Sequence, residues 1–223
     1  MHQQRSKNIL IYIFLFLIIG TLNNKHINKI DIKKIDKIIV TGLDDKNNFE
    51  LINDLNFLKV GNLFFLDKPK IKEIINSNSL VENYSVFKKY PSTLIVKIDK
   101  TKFLAQLEKE GNNFLLGSNG KLIKTIKLKE DIPLIFGKFK NQEFFSLKKA
   151  IDESNFNYYQ IKNLFSFQSG RWDIETKNGL LIKLPKDEIK TSLILLIDVL
   201  KKDNKNKIKK IDLRQYNQII ING

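Results

Sequence analysis

The chain of 223 residues contains no cysteine and only two histidines, His2 and His26. Disulfide bonds, thiolate nucleophiles and zinc–thiolate sites are therefore excluded, and packing alone must hold the fold together. Both histidines flank an N-terminal apolar run, so no predicted folded domain contains an imidazole. The sequence thus argues against histidine-based acid–base catalysis and most transition-metal sites, and we expect neither a metal nor a cofactor.

Arginine is scarce, although the chain carries a formal charge of +15. Only Arg5, Arg171 and Arg214 are arginines among the 39 basic residues. Proteins that recognise bases or bind phosphates favour the planar guanidinium of arginine. Lysines spread along a whole chain are weaker evidence for nucleic-acid binding than a single basic stripe would be. The lysine excess is typical of a codon-composition bias, and we expect no nucleic-acid partner.

Catalytic motifs are also missing. Ser118 with Lys121, and Ser146 with Lys149, have the S-x-x-K spacing of penicillin-recognising acyl transferases, but the supporting S-D-N and K-T-G elements are absent. Such pairs arise by chance in a lysine-rich chain, and "GSNGK" at 117–121 predicts a turn. We therefore expect a protein that is not an enzyme and has no small-molecule substrate.

The longest apolar run, "ILIYIFLFLIIGTL", covers residues 9–22 and carries no charge. Fourteen helical residues rise about 21 Å against a hydrocarbon core of about 30 Å, so the run is short for an anchor and close to a signal-peptide core. The two interpretations compete. The absence of a small-residue A-x-A pattern after Leu22 favours an uncleaved anchor, with Lys7 and Lys25 reaching towards the headgroups.

Basic residues before the run indicate the topology. Arg5 and Lys7 precede it in a very short tail, and positive charge favours the cytoplasmic side. We predict a cytoplasmic tail over 1–8, a transmembrane anchor over 9–25, and export of everything that follows.

A first folded module follows the anchor. "KIIVTG" at 37–42 predicts a strand, and apolar spacing predicts helices within 47–58 and after the capping residue Asp67. The stretch "VFKKYPSTLIVKI" at 86–98 has two alternating arms around a Tyr-Pro-Ser-Thr turn and predicts a hairpin. The order strand, helix, helix, strand, strand gives a complete module of two helices on a small sheet.

The remaining part is richer in strands, and turn signals such as "EGNN" divide them. The fold class is therefore α+β: an N-terminal transmembrane helix, a β-α-α-β-β module, and a mostly antiparallel β domain with two helices. The predicted strands of this domain are 103–110, 113–117, 120–126, 132–137, 159–167, 171–176, 180–184, 207–214 and 218–223, and the predicted helices are 143–153 and 186–202.

These stretches, taken in order, resemble the bacterial cell-division family FtsQ, also called DivIB. "IDKIIVTG" is similar to the opening strand of that family's POTRA domain, and "VFKKYPSTLIVKI" to the hairpin that closes it. "IPLIFG", "RWDIETKNGLLIKL" and "IDLR" are similar to later family motifs. The pattern departs from the family at Lys100 and Phe103, which replace an acid and a proline, and at Gly117, which replaces an aspartate.

The resemblance implies a non-enzymatic scaffold of the inner membrane, with its N-terminus in the cytoplasm and its later domains in the periplasm at the division septum. These domains would be a POTRA domain over 33–100 and an FtsQ-type β domain over 101–223. The family links early and late division proteins and binds the small coiled-coil partners FtsB and FtsL. The alternative is a POTRA-containing secretion or envelope-assembly factor, which would predict a cleaved signal and a membrane barrel.

Two surfaces and one structural motif follow from the resemblance. Docking for recruitment is expected at the hairpin residues Lys88, Lys89, Tyr90 and Pro91. A partner strand is expected along the C-terminal edge, where Gln215 stands in place of the family's aromatic residue. The edge residues are Arg214, Gln215, Tyr216, Asn217, Ile219, Ile220 and Ile221, and the structural motif is Arg171 with Trp172.

The C-terminal isoleucines leave two possibilities open. A terminal strand exposes one row of unpaired backbone groups, and β-augmentation by a partner would pair that row and cover the apolar side chains. Alternatively, Ile219, Ile220 and Ile221 are buried in the protein's own core. Strand alternation places Ile219 and Ile221 on one face and Ile220 on the other.

Overall fold

The structure is a computed structural model that describes residues 2–22, 33–202, 208–215 and 218–222. The first element is helix α1, His2–Leu22. Within the described ranges, no helix combines the length and apolarity needed to cross a membrane. Residues 23–25 of the predicted anchor lie outside the described residues.

A three-stranded sheet forms the N-terminal module. Its order is β1-β3-β2, with β1 parallel to β3 and β2 antiparallel to β3, as expected for a hairpin added beside the first strand. This confirms the β-α-α-β-β order. The elements are β1 (Lys37–Thr41), α2 (Asp45–Asp54), a 3₁₀ turn (Asn56–Val60), α3 (Lys68–Ser77), β2 (Val81–Lys89) and β3 (Thr93–Lys100).

Local chemistry sets the starts of both helices in this module. The Asp44 carboxylate accepts a hydrogen bond from the Asn47 amide, and the Asp67 carboxylate accepts one from the Lys70 amide. Each carboxylate satisfies a backbone donor that has no partner inside its helix. Gly42 ends β1 with a φ of 113°, and a Cβ there would lie 1.8 Å from the carbonyl oxygen of Ile98, so only glycine fits.

One apolar cluster lies between the helices and the sheet of this module. Leu51 and Leu55 from the first helical segment, with Ile75 from α3, pack against alternate residues of β1 and β3. Leu94 and Val96 are fully buried while Lys97 between Val96 and Ile98 is exposed, which is the period of two expected for a sheet covered on one face.

The C-terminal module is built on a nine-stranded sheet in the order β12-β11-β10-β9-β8-β7-β4-β5-β6. Among the described pairings, five are antiparallel and three, β4 with β7, β7 with β8 and β10 with β11, are parallel. The sheet is therefore mixed. Its strands are β4 (Phe103–Lys109), β5 (Asn112–Gly117), β6 (Leu122–Thr125), β7 (Leu134–Phe136), β8 (Ile161–Ser166), β9 (Trp172–Thr176), β10 (Leu181–Lys183), β11 (Lys210–Asp212) and β12 (Ile220–Asn222).

Two helices, α4 (Asn141–Ser154) and α5 (Ile189–Lys202), contact each other and share one core with this sheet. Phe144 and Leu193 bring the helices into a cluster that includes Ile174 and Ile211 from the strands. The sequence predicts α5 from residue 186, but the helix begins at Ile189 because Glu188 adopts a left-handed φ of 57°.

Candidate interaction surfaces

The C-terminal strand β12 lies at one edge of the nine-stranded sheet. It pairs antiparallel with β11 on one side, and no described strand lies on its other side. An edge strand of this kind presents unpaired N–H and C=O groups to a second chain. The predicted terminal hairpin therefore forms and exposes one backbone edge.

Two of the three consecutive isoleucines are not buried in the protein's own core. Ile220 and Ile221 are 47% and 45% exposed, whereas Ile219 packs against the main apolar cluster. Ile221 is in register with buried Ile211, and Ile220 is in register with Asp212, so the two exposed isoleucines belong to opposite faces of the sheet. Apolar side chains therefore flank the exposed backbone edge on both faces.

A cavity of about 300 Å³ adjoins this edge. Gln215 is exposed and contributes to its wall together with Gln218, Ile219 and the start of α5 at Thr191 and Leu195. Two residues of the predicted edge, Tyr216 and Asn217, lie outside the described residues.

Arg214 is held against the end of β11. Its Nε donates to both carboxylate oxygens of Asp212, at 2.8 and 2.9 Å, and its backbone amide donates to Asp212 Oδ1 at 3.1 Å. The side-chain hydrogen bonds, then the backbone hydrogen bond and the charge of Arg214, hold the pKa of the Asp212 carboxyl below its usual range despite partial burial. The arginine head is thereby fixed next to β12 and remains partly exposed.

A row of charged residues crosses the sheet at the register of Asp212. Asp173 of β9 is in register with Lys183 of β10, and Lys183 is in register with Asp212 of β11. Burial raises the pKa of the Asp173 carboxyl, against the opposing attraction of Arg171, Lys183 and Arg214. Opposite charges thus alternate along the row that leads to β12.

Arg171 and Trp172, the predicted structural motif, have different surroundings. Arg171 Nε lies 3.4 Å from Asp173 Oδ1, and neither atom has a hydrogen-bond partner among the described residues. Its guanidinium lies over the Phe167 ring at 4.4 Å. Trp172 is almost completely buried, with its ring centroid 5.7 Å from that of Phe139 in an edge-on contact. Arg171 and Arg214 therefore each pair with an aspartate two residues away.

The hairpin of the N-terminal module also presents an edge. β2 pairs only with β3, so its outer side has no neighbour among the described strands. Lys88, Lys89, Tyr90 and Pro91 are all exposed at its end, as a docking surface requires. The two predicted surfaces belong to different sheets, and the structure does not bring them together.

Sequence reasoning missed a polar contact between the two modules, which we call the clasp. It joins the 117–121 turn, between β5 and β6, to the segment that connects α3 to β2 and to the first residues of β2. Asn119 donates its side-chain amide to the carbonyl oxygens of Ser79 and Val81 at 2.9 and 2.8 Å, and Ser118 Oγ donates to Glu82 Oε2 at 2.7 Å. The only sequence signal was the Asn- and Gly-rich turn itself, which predicts a local bend and not its long-range partner.

Gly117 at the start of this turn has a tight environment. A Cβ at this position would lie 2.6 Å from Asn119 Oδ1 and 2.7 Å from Thr101 Oγ1. Glycine at position 117 therefore suits this clasp, because a larger residue would displace the groups that form it.

The two modules and their free strand edges define the class of this protein: a small POTRA-type module followed by a large mixed-sheet module. The family model "POTRA domain, FtsQ-type" matches residues 24–100, and the model "Cell division protein FtsQ/DivIB, C-terminal" matches residues 105–214. Together the two matches cover most of the chain.

Individual relatives agree with these models. The cell division protein FtsQ of Rickettsia prowazekii is 25% identical over 194 residues, which are 84% of this chain and 72% of the relative. Cell division protein DivIB of Bacillus subtilis is 30% identical over 127 residues, which are 54% of this chain and 46% of the relative. The chain belongs to the FtsQ/DivIB family of cell-division proteins.

One solved structure is also similar. It is the major extracytoplasmic domain of the trans isomer of the bacterial cell division protein DivIB from Geobacillus stearothermophilus. The match has 12% identity and a TM-score of 0.34, and it covers 48% of this chain and 99% of that one.

Proposed function

We propose that the protein is a non-enzymatic scaffold of the division machinery that links early and late division proteins through contacts made outside the cytoplasm. The match of the C-terminal module to the FtsQ/DivIB model supports this function over a secretion or envelope-assembly factor. Its partners are FtsB- and FtsL-like proteins and other division proteins at the septum.

The observation that carries the proposal is the open edge of β12. A partner strand added there pairs the outer backbone groups and covers Ile220 and Ile221. The fixed guanidinium of Arg214 and the exposed Gln215 stand at the start of the same edge, where they offer polar contacts to the partner. Main-chain pairing supplies affinity, and these side chains supply specificity.

Membrane attachment is part of the proposal. The described side chains of α1 from Ile9 to Ile19 are apolar and mostly exposed, which is costly in water and favourable in lipid. We place the apolar part of the helix, from residue 9 onwards, in the inner membrane, uncleaved, with residues 1–8 in the cytoplasm and both modules in the periplasm.

Proline substitutions at two neighbouring positions test the edge. Successive N–H groups of a strand point to opposite sides, so one of Ile220→Pro and Ile221→Pro removes an outward donor and the other removes a donor facing β11. We expect the outward variant to lose capture of an FtsB-like partner while its thermal midpoint stays at the wild-type value. If both variants keep that midpoint and bind like wild type, the edge is not the binding site.

A side-chain variant tests the apolar part of the same edge. The double variant Ile220→Glu, Ile221→Glu places two charges where the partner would bury apolar side chains. We expect binding to weaken by at least tenfold, since burying one such apolar side chain stabilises a complex by about 1.5–3 kcal/mol. Ile126→Glu is the matched control, because Ile126 is an exposed isoleucine outside this edge. Equal loss of binding in the control would show an unspecific charge effect and count against the proposal.

A further inference from the structure

Three segments of the N-terminal module meet at one end of its sheet, and we call this end the tip. Ile35 donates its amide to the carbonyl oxygen of Gly61 at 3.0 Å, and Asp36 donates its amide to that of Ser92 at 2.9 Å. The tip therefore consists of the entry to β1 (33–37), the loop before α3 (59–66) and the end of the hairpin (88–92).

Large apolar side chains are exposed on the tip. Phe65 and Val60 are 80% and 78% exposed, and Phe64 and Tyr90 are more than half exposed. The Phe64 and Tyr90 rings contact each other with centroids 5.3 Å apart, although they come from different segments. Neighbouring apolar groups left in water in this way mark a surface that contacts another phase or molecule.

The loop that carries the two phenylalanines is held in place. Asn62 Oδ1 accepts hydrogen bonds from the amides of Phe64 and Phe65, at 2.9 and 3.2 Å. Leu63, between Asn62 and Phe64, is fully buried. The buried leucine anchors the loop, and the asparagine fixes its turn. The outward position of the aromatic side chains is thus built into the fold.

The charge of the tip is almost entirely positive. Asp36 is the only acidic residue within the three segments. Six exposed lysines surround the apolar groups: Lys33, Lys34, Lys37, Lys59, Lys88 and Lys89.

We propose that the tip is a membrane-contact surface, which places its aromatic side chains in the interfacial layer and its lysines against anionic lipid headgroups. Aromatic residues next to lysines are typical of a membrane–water interface, whereas lysine is depleted from the cores of protein–protein interfaces. The tip shares Lys88, Lys89 and Tyr90 with the predicted docking surface for proteins, whose free backbone edge is the outer side of β2.

The position of the tip along the chain supports this partner. Only residues 23–32 separate the end of α1 from Lys33, and ten residues span at most about 36 Å when fully extended. The tip is thus the first part of the folded module that follows the helix. The inference rests on the proposed membrane attachment of α1.

Tryptophan fluorescence in the full-length chain tests the proposal. Trp172 is the only native tryptophan and is buried in the other module, so it gives a constant background. The Phe65→Trp variant is reconstituted into vesicles that contain phosphatidylglycerol with brominated acyl chains. We expect the emission of the introduced tryptophan to shift to shorter wavelength and to be quenched by the bromine. Vesicles of brominated phosphatidylcholine alone should quench it less, because the lysines gain nothing from a neutral surface.

Phe49→Trp is the matched control. Phe49 is an exposed phenylalanine on α2. Asp44, which caps this helix, has its carboxylate 3.7 Å from Lys100 Nζ, at the end of β3 opposite to the hairpin turn. We expect no quenching in this control. Flotation of the same vesicles reports attachment through α1 separately.

The outcomes separate the two proposals. A chain that does not float overturns both the attachment and the tip contact. A chain that floats while Phe65→Trp stays unquenched, or is quenched no more than Phe49→Trp, overturns the tip contact alone. Equal quenching with neutral and anionic lipid overturns the role of the lysines.

Discussion

Asn119, in the turn between β5 and β6, donates its side-chain amide to the carbonyl oxygen of Val81 at the start of β2, at 2.8 Å. This bond joins the C-terminal module to the N-terminal module. Lys121 strengthens the same contact, since its Nζ donates to the carbonyl oxygen of Asn78 at 3.2 Å. The proposed scaffold function, with partners at two edges, would benefit from a fixed angle between the modules, and the clasp supplies polar contacts that orient them.

The first prediction concerns the clasp. Asn119→Ala removes three side-chain hydrogen bonds, one of them accepted from the Lys121 amide, and leaves the carbonyl oxygens of Ser79 and Val81 without this donor. We therefore expect a loss of about 1–3 kcal/mol in the free energy of unfolding. Chemical denaturation measures that loss. Because the chain has no native cysteine, paired spin labels on introduced cysteines, one in each module, report the angle directly, and we expect a broader distance distribution.

Asn112→Ala is the control for this prediction. Its side-chain amide donates to Glu110 within the β4–β5 turn and not across the modules. A distance distribution that broadens equally in both variants, or in neither, would show that the clasp does not set the angle.

The second prediction is a pH dependence at Asp212. Its pKa is lowered in the folded protein, so its contribution to stability is present above the unfolded value of about 3.9 and is lost as the pH falls through the folded pKa. We expect Asp212→Asn to be less stable than wild type at pH 7, with a difference that shrinks below pH ~4. Thermal midpoints across this range measure it.

The third prediction is that Asp173 contributes a pH dependence of stability opposite in sign to that of Asp212. Burial raises the pKa of Asp173, so ionisation in the folded state costs stability as the pH rises through that raised value. On acidification, wild type should therefore gain stability relative to Asp173→Asn, whereas it loses stability relative to Asp212→Asn. Parallel curves for the two variants would contradict the assigned roles of these carboxylates.

The fourth prediction concerns docking at the hairpin. We expect Lys88→Glu with Lys89→Glu to weaken recruitment by other division proteins, because both lysines are exposed at the end of the free β2 edge. Binding is measured in detergent, where lipid contributes nothing. Lys46→Glu with Lys72→Glu makes the same change in charge on the helices of this module, and a matching loss there would argue against a specific surface.

The fifth prediction is that α1 stays attached. No small-residue cleavage pattern follows Leu22, so N-terminal sequencing of the membrane fraction after a carbonate wash should give the original terminus. A sequence beginning between residues 23 and 27 would identify a cleaved signal.

Local sequence chemistry determined most of the elements. Asp67 followed by Pro69 gives the start of α3, and the alternation in "TLIVKI" gives β3, because caps and strand periodicity depend on residues that are close along the chain. The order of the motifs was also sufficient to identify the family, and the alternation of the last residues predicted the terminal strand that contains Ile220 and Ile221.

Only the tertiary structure decided how distant segments combine. β7 lies between β4 and β8, and β10 is parallel to β11, because burial of one continuous core selects the strand order and no local propensity does so. Ser118 meets Glu82 across 36 positions, and Phe64 meets Tyr90 from another loop. Such contacts depend on where the backbone returns in space, and residue spacing along the chain does not contain that information.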